Sequence, residues 1–432
     1  MNIYKKMARY VLTSVLGMIG VSIYILADTY FISLGFGSEG LAVLNLTLPI
    51  YGFMYAIGQM LGMGYAIVYS LERAKGGRTE HYFLQAFQWA LIFSLPFILL
   101  GIFAPDKILC LLGADAQLAY MGKPYVRIIL CAAPLFMFNF VFSAFSRNDN
   151  ATSLAMTGAI MASVFNIVFD YVFMFPCRFG FMGAAMATAA CPLISIAINC
   201  IHFKSQKNNI GFKYERAHFK LFTKCASIGM SGFVGEFSTA VTSAVFNFMM
   251  LLLAGNTGVA AYSVIANIAL VCTCIFNGIA QGIQPLFSSS FGAGRKDECK
   301  KLIKASLCLA LIVAILMILM GFGLTDQLIA VFNSKNDSLL ASYAFAGIRL
   351  YFLAFTIVGI NVVLIAYFSA IGEAKIVIIG SLLRGMILIS IAAIVMGKLF
   401  GMNGVWLSYL TAESLTLITI LAIWLKGKRT AK

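Results

Sequence analysis

The chain carries little charge. Aspartate, glutamate, lysine and arginine make up 11% of its 432 residues, whereas a soluble domain typically contains about 25%. Apolar residues make up 61% of the chain. A soluble fold cannot bury that much apolar surface, so we expect lipid to surround most of the chain. The composition therefore excludes an ordinary soluble enzyme or binding domain.

Acidic residues are scarce relative to basic ones, at 16 against 31, which gives a net charge of +15. Such an excess can indicate a nucleic-acid partner. Here, however, the basic residues lie in short gaps between apolar runs and form no basic domain, so we expect no nucleic-acid binding. The ten cysteines include no Cys-x-x-Cys pair, so we expect neither a disulfide framework nor a cysteine metal site.

Motifs of catalysis are also missing from the sequence. There is no His-Glu-x-x-His pair, no Gly-x-Gly-Asp pair and no Walker nucleotide-binding motif. Their absence argues against an intramembrane enzyme and against transport driven directly by ATP. We therefore expect a protein that is not an enzyme and needs no cofactor.

What the sequence has instead is a series of long apolar runs. A membrane-spanning helix needs roughly 20 apolar residues, and twelve runs meet that length. They are 10–34, 41–71, 83–104, 121–146, 151–176, 180–203, 225–253, 258–291, 305–330, 343–370, 377–397 and 402–425. The pattern predicts an all-α polytopic membrane protein with twelve transmembrane helices.

The distribution of lysine and arginine predicts the orientation. With the N-terminus in the cytoplasm, 23 basic residues lie in cytoplasmic segments and five lie outside, at Lys107, Lys123, Arg178, Lys335 and Lys398. Cytoplasmic loops of membrane proteins carry such an excess. We therefore predict a multi-pass protein of the bacterial cytoplasmic (inner) membrane with both termini in the cytoplasm.

The two halves of the sequence repeat each other. Residues 37–80 match 255–298 without gaps at an offset of 218, and Phe142-Ser-Ala144 matches Phe368-Ser-Ala370. Phe179-Gly-Phe-Met-Gly183 likewise matches Phe400-Gly-Met-Asn-Gly404. Since each half has six spans, both insert in the same direction, which predicts a pseudo-two-fold axis along the membrane normal. We predict two six-helix lobes, 1–203 and 225–432, joined by a cytoplasmic connector, 204–224.

Several short motifs lie at the ends and in the middle of the predicted spans. In chain order they are Ala27-Asp28-Thr29-Tyr30-Phe31-Ile32, Leu48-Pro49-Ile50, Arg147-Asn148-Asp149-Asn150, Asn166-x-x-x-Asp170, and Gly183-Ala184-Ala185 with Thr188. Over nearly its whole length the chain resembles the multidrug and toxic compound extrusion (MATE) family, and its MepA-like branch in particular. The resemblance implies a two-lobed bundle that exports cationic or amphipathic compounds against an inward flow of protons or sodium.

Two acids and two neutral polar residues fall in the outer half of the first lobe. Asp28 and Asp170 lie about 27 and 28 Å from the inner ends of their spans at the helical rise of about 1.5 Å per residue. Asn166 shares a helix face with Asp170, and Thr188 lies eight residues below the outer end of its span. Close carboxylates favour binding of a proton, or of sodium together with the neighbouring oxygens. A structural hydrogen-bond network between helices is the alternative.

The resemblance implies a role for these same positions. Asp28, Asn166, Asp170 and Thr188 match the residues that form the cation site of the first lobe in the family, with Asp28 and Asp170 as the candidate sodium ligands. Ionisable residues at membrane depth are costly and usually functional, which is consistent with that role.

Two further acids lie near the midplane of the second lobe. Glu236 and Glu413 sit about 16 and 18 Å from the inner ends of their spans. Glu236 matches a position that the family often links to coupling or to cationic substrates, and Glu413 matches the MepA-like branch. We predict a role in substrate binding or coupling for both. For Glu413 the alternative is a structural salt bridge with Arg384.

The sequence therefore favours a secondary active antiporter that exports small cationic or amphipathic compounds by alternating access. We expect it to act as a monomer within the bilayer. A flippase for a lipid-linked oligosaccharide or a peptidoglycan precursor is the alternative, although a diphosphate substrate would favour a strongly cationic cleft. A channel is a further alternative, and the paired lobes favour alternating access over it.

Overall fold

The computed structural model describes residues 3–332 and 338–430, and nearly all of them are helical. The first half contains α1 Ile3–Gly37, α2 Glu39–Ala74, α3 Tyr82–Phe103, α4 Pro105–Leu111, α5 Ala116–Cys131, α6 Ala133–Asn148, α7 Thr152–Met174 and α8 Gly180–Cys200. A 3₁₀ turn, Ile201–Lys204, follows.

The second half has the same order of elements. It contains α9 Phe219–Gly255, α10 Thr257–Gly292, α11 Lys296–Gly323, α12 Thr325–Phe332, α13 Ser338–Phe352, α14 Phe355–Ala370, α15 Ala374–Leu382 and α16 Leu388–Thr430. A five-residue π-helix, Leu383–Ile387, joins α15 to α16. The described ranges contain no β-strand, so the predicted all-α membrane fold is confirmed.

The number of spans follows from where the helices break. Within the described residues nine helices are long and apolar enough to cross a membrane, or up to eleven if each bent pair is one span, whereas the sequence predicted twelve. The difference lies in Ala374–Lys426, which counts once although it has 53 residues. At about 1.5 Å per residue that length is more than twice the thickness of a bilayer core. Gly401 interrupts this helix with φ 60° and ψ −144°. Counting the two parts as separate spans raises the upper count from eleven to twelve.

Some predicted boundaries need correction. The first helix begins at Ile3 rather than at residue 10, because its charged first turns remain helical outside the apolar run. The predicted ninth run, 305–330, is divided between α11 and α12, and α11 already begins at Lys296. Helix α9 begins at Phe219, inside the predicted connector. Two basic residues used for the orientation, Lys335 and Lys432, lie outside the described residues.

The repeat is visible in the backbone as well as in the sequence. Gly37 and Gly255, which are related by the offset of 218, have nearly the same backbone angles, φ 55° and ψ −142° against φ 60° and ψ −151°. This region of φ and ψ is accessible almost only to glycine. The matched pair Gly180 and Gly401 also share a positive φ, 56° and 60°. Glycine at these corners therefore sets equivalent helix directions in both halves.

Two large hydrophobic clusters lie one in each predicted lobe, and each cluster also includes residues from the opening helix of the other lobe. One core extends from Ile32 to Ile210 and also takes in Cys225, Ala226 and Ile228 from the start of α9. The other extends from Phe246 to Ala412 and also takes in Met7, Tyr10 and Val11 from the start of α1. Each lobe is therefore completed by the opening helix of the other.

Among the described residues, close backbone contacts between the lobes lie at one end of the bundle, which we call the basic end because it carries Lys6, Arg73, Arg295 and the segment 204–218. There α2 meets α9 with glycines in contact with backbone: a Cβ on Gly64 would lie 2.1 Å from the carbonyl oxygen of Cys225. Helix α10 meets α1 in the same way, since a Cβ on Gly282 would lie 2.7 Å from the Cα of Val11.

Further along the same helices such backbone contacts are absent at two glycines. A Cβ on Gly52 of α2 or on Gly235 of α9 would meet nothing within 4 Å. We call the space between these helices the interlobe cleft. At the basic end, by contrast, these helices are in backbone contact.

Candidate cation site and interlobe cleft

Four predicted residues of the first lobe come together between α1, α7 and α8. Asp28, Asn166, Asp170 and Thr188 are all buried, with 9% or less of each residue exposed. The amide nitrogen Nδ2 of Asn166 donates to Oγ1 of Thr188 at 3.4 Å. The carboxyl groups of Asp28 and Asp170 lie close enough to interact with each other. The structure thus brings the four residues together as two interacting pairs, with Asn166 and Asp170 four residues apart on α7.

This group holds more hydrogen-bond acceptors than donors. Oδ1 of Asp28, both carboxylate oxygens of Asp170 and Oδ1 of Asn166 are buried and have no hydrogen-bond partner among the described residues. An unpaired buried polar atom costs about 1–3 kcal/mol, and more when it is charged. Two neighbouring carboxylates in a poorly solvated site also repel each other. A proton or a metal cation bound here would remove both penalties.

The donor set indicates which cations would fit. Two carboxylates, one amide oxygen and one hydroxyl oxygen form an all-oxygen set, which suits a hard cation such as sodium rather than a softer transition metal. No group of three His, Cys, Asp or Glu side chains that could hold a metal lies within the described residues. The site therefore fits a proton or sodium better than a resident zinc or iron ion.

Glu236 lies at the boundary between the lobes rather than inside the second lobe. Its carboxyl group on α9 lies next to the side-chain amide of Gln59 on α2. Tyr24 and Tyr55 of the first lobe are close enough to interact electrostatically with this carboxyl group. Gly235, its neighbour in the chain, is exposed. Glu236 therefore faces the first lobe across the interlobe cleft.

Glu413 has a different environment and does not pair with Glu236. Its carboxylate is 1% exposed, and its Oε1 accepts hydrogen bonds from Nε and Nη2 of Arg384 at 3.1 and 2.9 Å. Its Oε2 accepts a bond from Nδ2 of Asn361 at 2.6 Å. The structure thus forms the salt bridge that was the structural alternative for Glu413, and adds Asn361, which the sequence did not indicate.

Asp149 is a polar centre that the sequence analysis did not assign to any site. It is fully buried at the basic end, where it forms an ion pair with Arg73. His202 Nε2 lies 2.7 Å from its Oδ2, and the backbone N–H of Asn209 donates to the same oxygen at 2.8 Å. The hydroxyl of Tyr69 donates to Oδ1 at 3.1 Å. Asp149 therefore ties α2, the end of α6 and the connector together.

These contacts set the protonation of Asp149. Burial alone would raise the pKa of this carboxyl group, but the hydrogen bonds from His202 and Asn209 and the charge of Arg73 outweigh it, so the pKa is lowered. A lowered pKa stabilises the fold above the ordinary carboxyl range, and this stabilisation is lost as pH falls through the folded-state pKa. The only sequence signal for this centre was the Arg147-Asn148-Asp149-Asn150 motif, because the partners of Asp149 lie 53 or more residues away in the chain.

Comparison with known proteins identifies a family. The MatE family profile matches residues 14–172 and 233–394, one stretch in each lobe. The multidrug export protein MepA of Staphylococcus saprophyticus is 25% identical over 426 residues, covering 98% of this chain and 93% of that protein. MepA of Staphylococcus aureus is 23% identical over 425 residues, with the same coverage.

Solved structures show the same fold. A multidrug-resistance MATE transporter in an outward-facing conformation superimposes with a TM-score of 0.90 at 20% identity, covering 100% of this chain and 97% of that one. A MATE protein in complex with MaL6 gives 0.91 at 19% identity, with the same coverage. A MOP-superfamily transporter from Pyrococcus furiosus gives 0.89 at 18% identity, again covering 100% and 97%.

Proposed function

Because the chain belongs to the MatE family of membrane transporters, we propose that it is a secondary active antiporter. It exports small cationic or amphipathic compounds in exchange for protons or sodium. The observation that supports this most is the group of buried acceptor oxygens on Asp28, Asn166 and Asp170 that have no donor. Such a group is stable only when a cation or a proton joins it.

Helix α1 supplies a path from the ion site to the opening of the lobes. It carries Asp28 at the site, and its first turns carry Val11 and Val15, which contact Gly282 and Gly278 of α10 at the sealed basic end. Ion binding changes the repulsion between Asp28 and Asp170 and so changes the preferred position of α1. A shift of α1 alters the contact between the lobes, and the population of the two facing states changes with it.

The interlobe cleft is the proposed substrate site. Its walls include Phe53 and Phe233, whose ring centroids are 6.0 Å apart. Glu236 adds one carboxylate near them. Adaptable aromatic side chains accept varied apolar shapes, and a carboxylate in a medium of low dielectric attracts a positive substrate. Relatives named multidrug export proteins support substrates of this class.

The proposal includes the location of the protein. The bundle spans the bacterial cytoplasmic membrane with both termini and the basic end in the cytoplasm, as the bias of basic residues favours. The protein acts as a monomer, since each lobe is completed by the other lobe of the same chain.

The flippase alternative is not favoured. A lipid-linked diphosphate would need a cationic cleft, whereas Glu236 brings a carboxylate to the cleft, and Arg384 of the second lobe is held by Glu413. The relatives above are named exporters of drugs rather than of lipid precursors.

The test is transport by the purified protein in liposomes. A proton gradient and a sodium gradient are imposed separately, and the movement of a fluorescent cationic dye is recorded. We expect one of the two gradients to accelerate dye movement well above that of protein-free liposomes. A folded protein that binds the dye but responds to neither gradient would contradict the antiport mechanism.

Glu236→Gln tests the role of the carboxylate at the cleft. We expect it to reduce transport of a cationic dye by about ten-fold, which corresponds to the loss of about 1.4 kcal/mol of attraction, and to change transport of a neutral dye by less than about two-fold. Glu373→Gln, an exposed glutamate of the second lobe, is the matched control and should change neither. Equal losses for both dyes would give Glu236 a structural or coupling role instead.

A further inference from the structure

A polar cavity of about 260 Å³ lies at the basic end, between the lobes. Its lining includes Lys6 and Tyr10 of α1, Arg73 of α2, Ser289 of α10 and Arg295. The volume is below the range of about 300–1,000 Å³ typical of sites for drug-sized ligands. The cavity therefore lies apart from the interlobe cleft beside Glu236 and is smaller than a typical site for a drug-sized ligand.

The lining of this cavity has only one sign of charge. Twelve residues form it, and they include three cations, Lys6, Arg73 and Arg295, but no aspartate or glutamate. Three cations converging on a small cavity repel one another unless an anion lies between them. The balance of charge around the cavity therefore depends on the acids behind its walls.

Those acids neutralise two of the three cations. Asp149 pairs with Arg73 but is fully buried and also held by His202 and Asn209. Glu298 pairs with Arg295 at 3.2 Å. Neither acid lines the cavity, so the guanidinium groups of both arginines still border it.

Lys6 has no such partner. Within the described residues it forms no ion pair, and its Nζ lies 5.6 Å from the centroid of the Tyr10 ring. The ammonium group of Lys6 is close enough to Arg295 and Glu298 to interact electrostatically with both. An unpaired ammonium group beside an arginine, in a half-buried cavity, is the arrangement that an anion completes.

Neutral groups add further hydrogen-bonding capacity. The hydroxyl groups of Ser70 and Ser289 and the amides of Asn148 and Asn150 line the cavity. A hydroxyl hydrogen can rotate towards an anion, and an amide offers two N–H donors. Phosphate oxygens accept bonds from arginine forks and from lysine. The lining thus matches a phosphate group more closely than it matches an apolar or cationic ligand.

We propose that this cavity binds a phosphate-bearing anion, either free phosphate or the headgroup of an anionic phospholipid, and that the bound group links the two lobes at the basic end. Because Arg73 lies with the first lobe, whereas Arg295, Ser289 and the first turns of α1 that carry Lys6 lie with the second, both sides hold the same ligand. A ligand that contacts both sides binds only while that end is closed, so it favours the closed conformer.

The first arm of the test uses inorganic phosphate and pyrophosphate with the purified full-length protein in a phosphate-free detergent. Binding is measured by calorimetry, with ionic strength held constant by chloride. The Lys6→Gln/Arg295→Gln variant should bind at least about ten-fold more weakly than wild type, since charge-assisted bonds are lost. Lys5→Gln/Lys296→Gln removes the same charge from exposed positions outside the cavity and should bind like wild type.

The second arm distinguishes the source of the phosphate group. Thermal stability is compared in nanodiscs of phosphatidylglycerol and of phosphatidylcholine. A higher Tm in phosphatidylglycerol that disappears in Lys6→Gln/Arg295→Gln, but not in the control variant, identifies a lipid headgroup. Binding in the first arm without this lipid effect identifies free phosphate.

Two outcomes overturn the proposal. One is equal weakening in the cavity variant and the control variant, because a basic surface would then attract anions without a site. The other is the absence of any difference in both arms. If the double variant does not fold, Lys6→Gln alone serves in its place. None of these measurements depends on transport, so failure of the proposed antiport leaves them unaffected.

Discussion

Asp28→Asn and Asp170→Asn should each reduce gradient-driven transport to the level of protein-free liposomes, while insertion and folding are retained. Either change removes one of the two carboxylates that bind the coupling ion. An asparagine keeps the size of the side chain but carries no negative charge, so the repulsion that ion binding relieves is absent. Without that difference between the ion-free and ion-bound states, a gradient cannot shift the lobes.

The double variant should transport no less than either single variant, since both changes break the same unit. Binding of the dye in detergent should persist, because the interlobe cleft keeps its side chains. Asp106→Asn is the matched control: Asp106 lies in α4, outside the site, with its carboxylate 3.7 Å from Lys123, and its loss should leave transport unchanged. Transport near the wild-type rate in a folded Asp28→Asn protein would remove the site from the mechanism.

Arg384→Met and Glu413→Gln should each destabilise the protein strongly, by about 3–5 kcal/mol, because each leaves a buried charge without its partner. Glu413 is 1% exposed and Arg384 21%, so water can solvate the arginine partly and the glutamate hardly at all. We therefore expect Arg384→Met to be the more damaging change. Tm in detergent and the fraction of monodisperse protein measure the loss.

The double change Arg384→Met/Glu413→Gln should recover much of that loss. Replacing both partners leaves no unpaired charge, and the amide nitrogen of Asn361 still has a backbone carbonyl acceptor, that of residue 413, at 2.9 Å. A double variant that loses less stability than the sum of the two single losses identifies a structural bridge. Additive losses, or a fully stable single variant that has lost transport, would instead point to a direct role in coupling.

The sequence predicts those structural features that have a local cause. The helices follow from apolar runs, and the depth of Asp28 and Asp170 follows from the fixed rise of a helix, so residues far apart in the chain could be placed at one level. Glycine-only corners such as Gly37 and Gly255 could be matched because the repeat preserves them.

Other features depend on side-chain directions that no spacing reveals. The sequence placed Glu236 and Glu413 at one depth and assigned them one kind of role. The structure separates them, since one points towards Gln59 across the cleft and the other towards Arg384 and Asn361. Depth along a helix is set by residue number, whereas the direction in which a side chain points depends on how each helix is rotated in the bundle.

The exchange of first turns between the cores also constrains the order in which the chain can fold during synthesis. Met7 accepts a long hydrogen bond at its sulfur from Ser306 at 3.9 Å, a residue made 299 positions later. The packing around the opening turns of α1 is therefore incomplete until then. The first lobe, in turn, is complete only after Ile228 leaves the ribosome. Although domains usually fold as units from the N-terminus, these two lobes reach their final packing together.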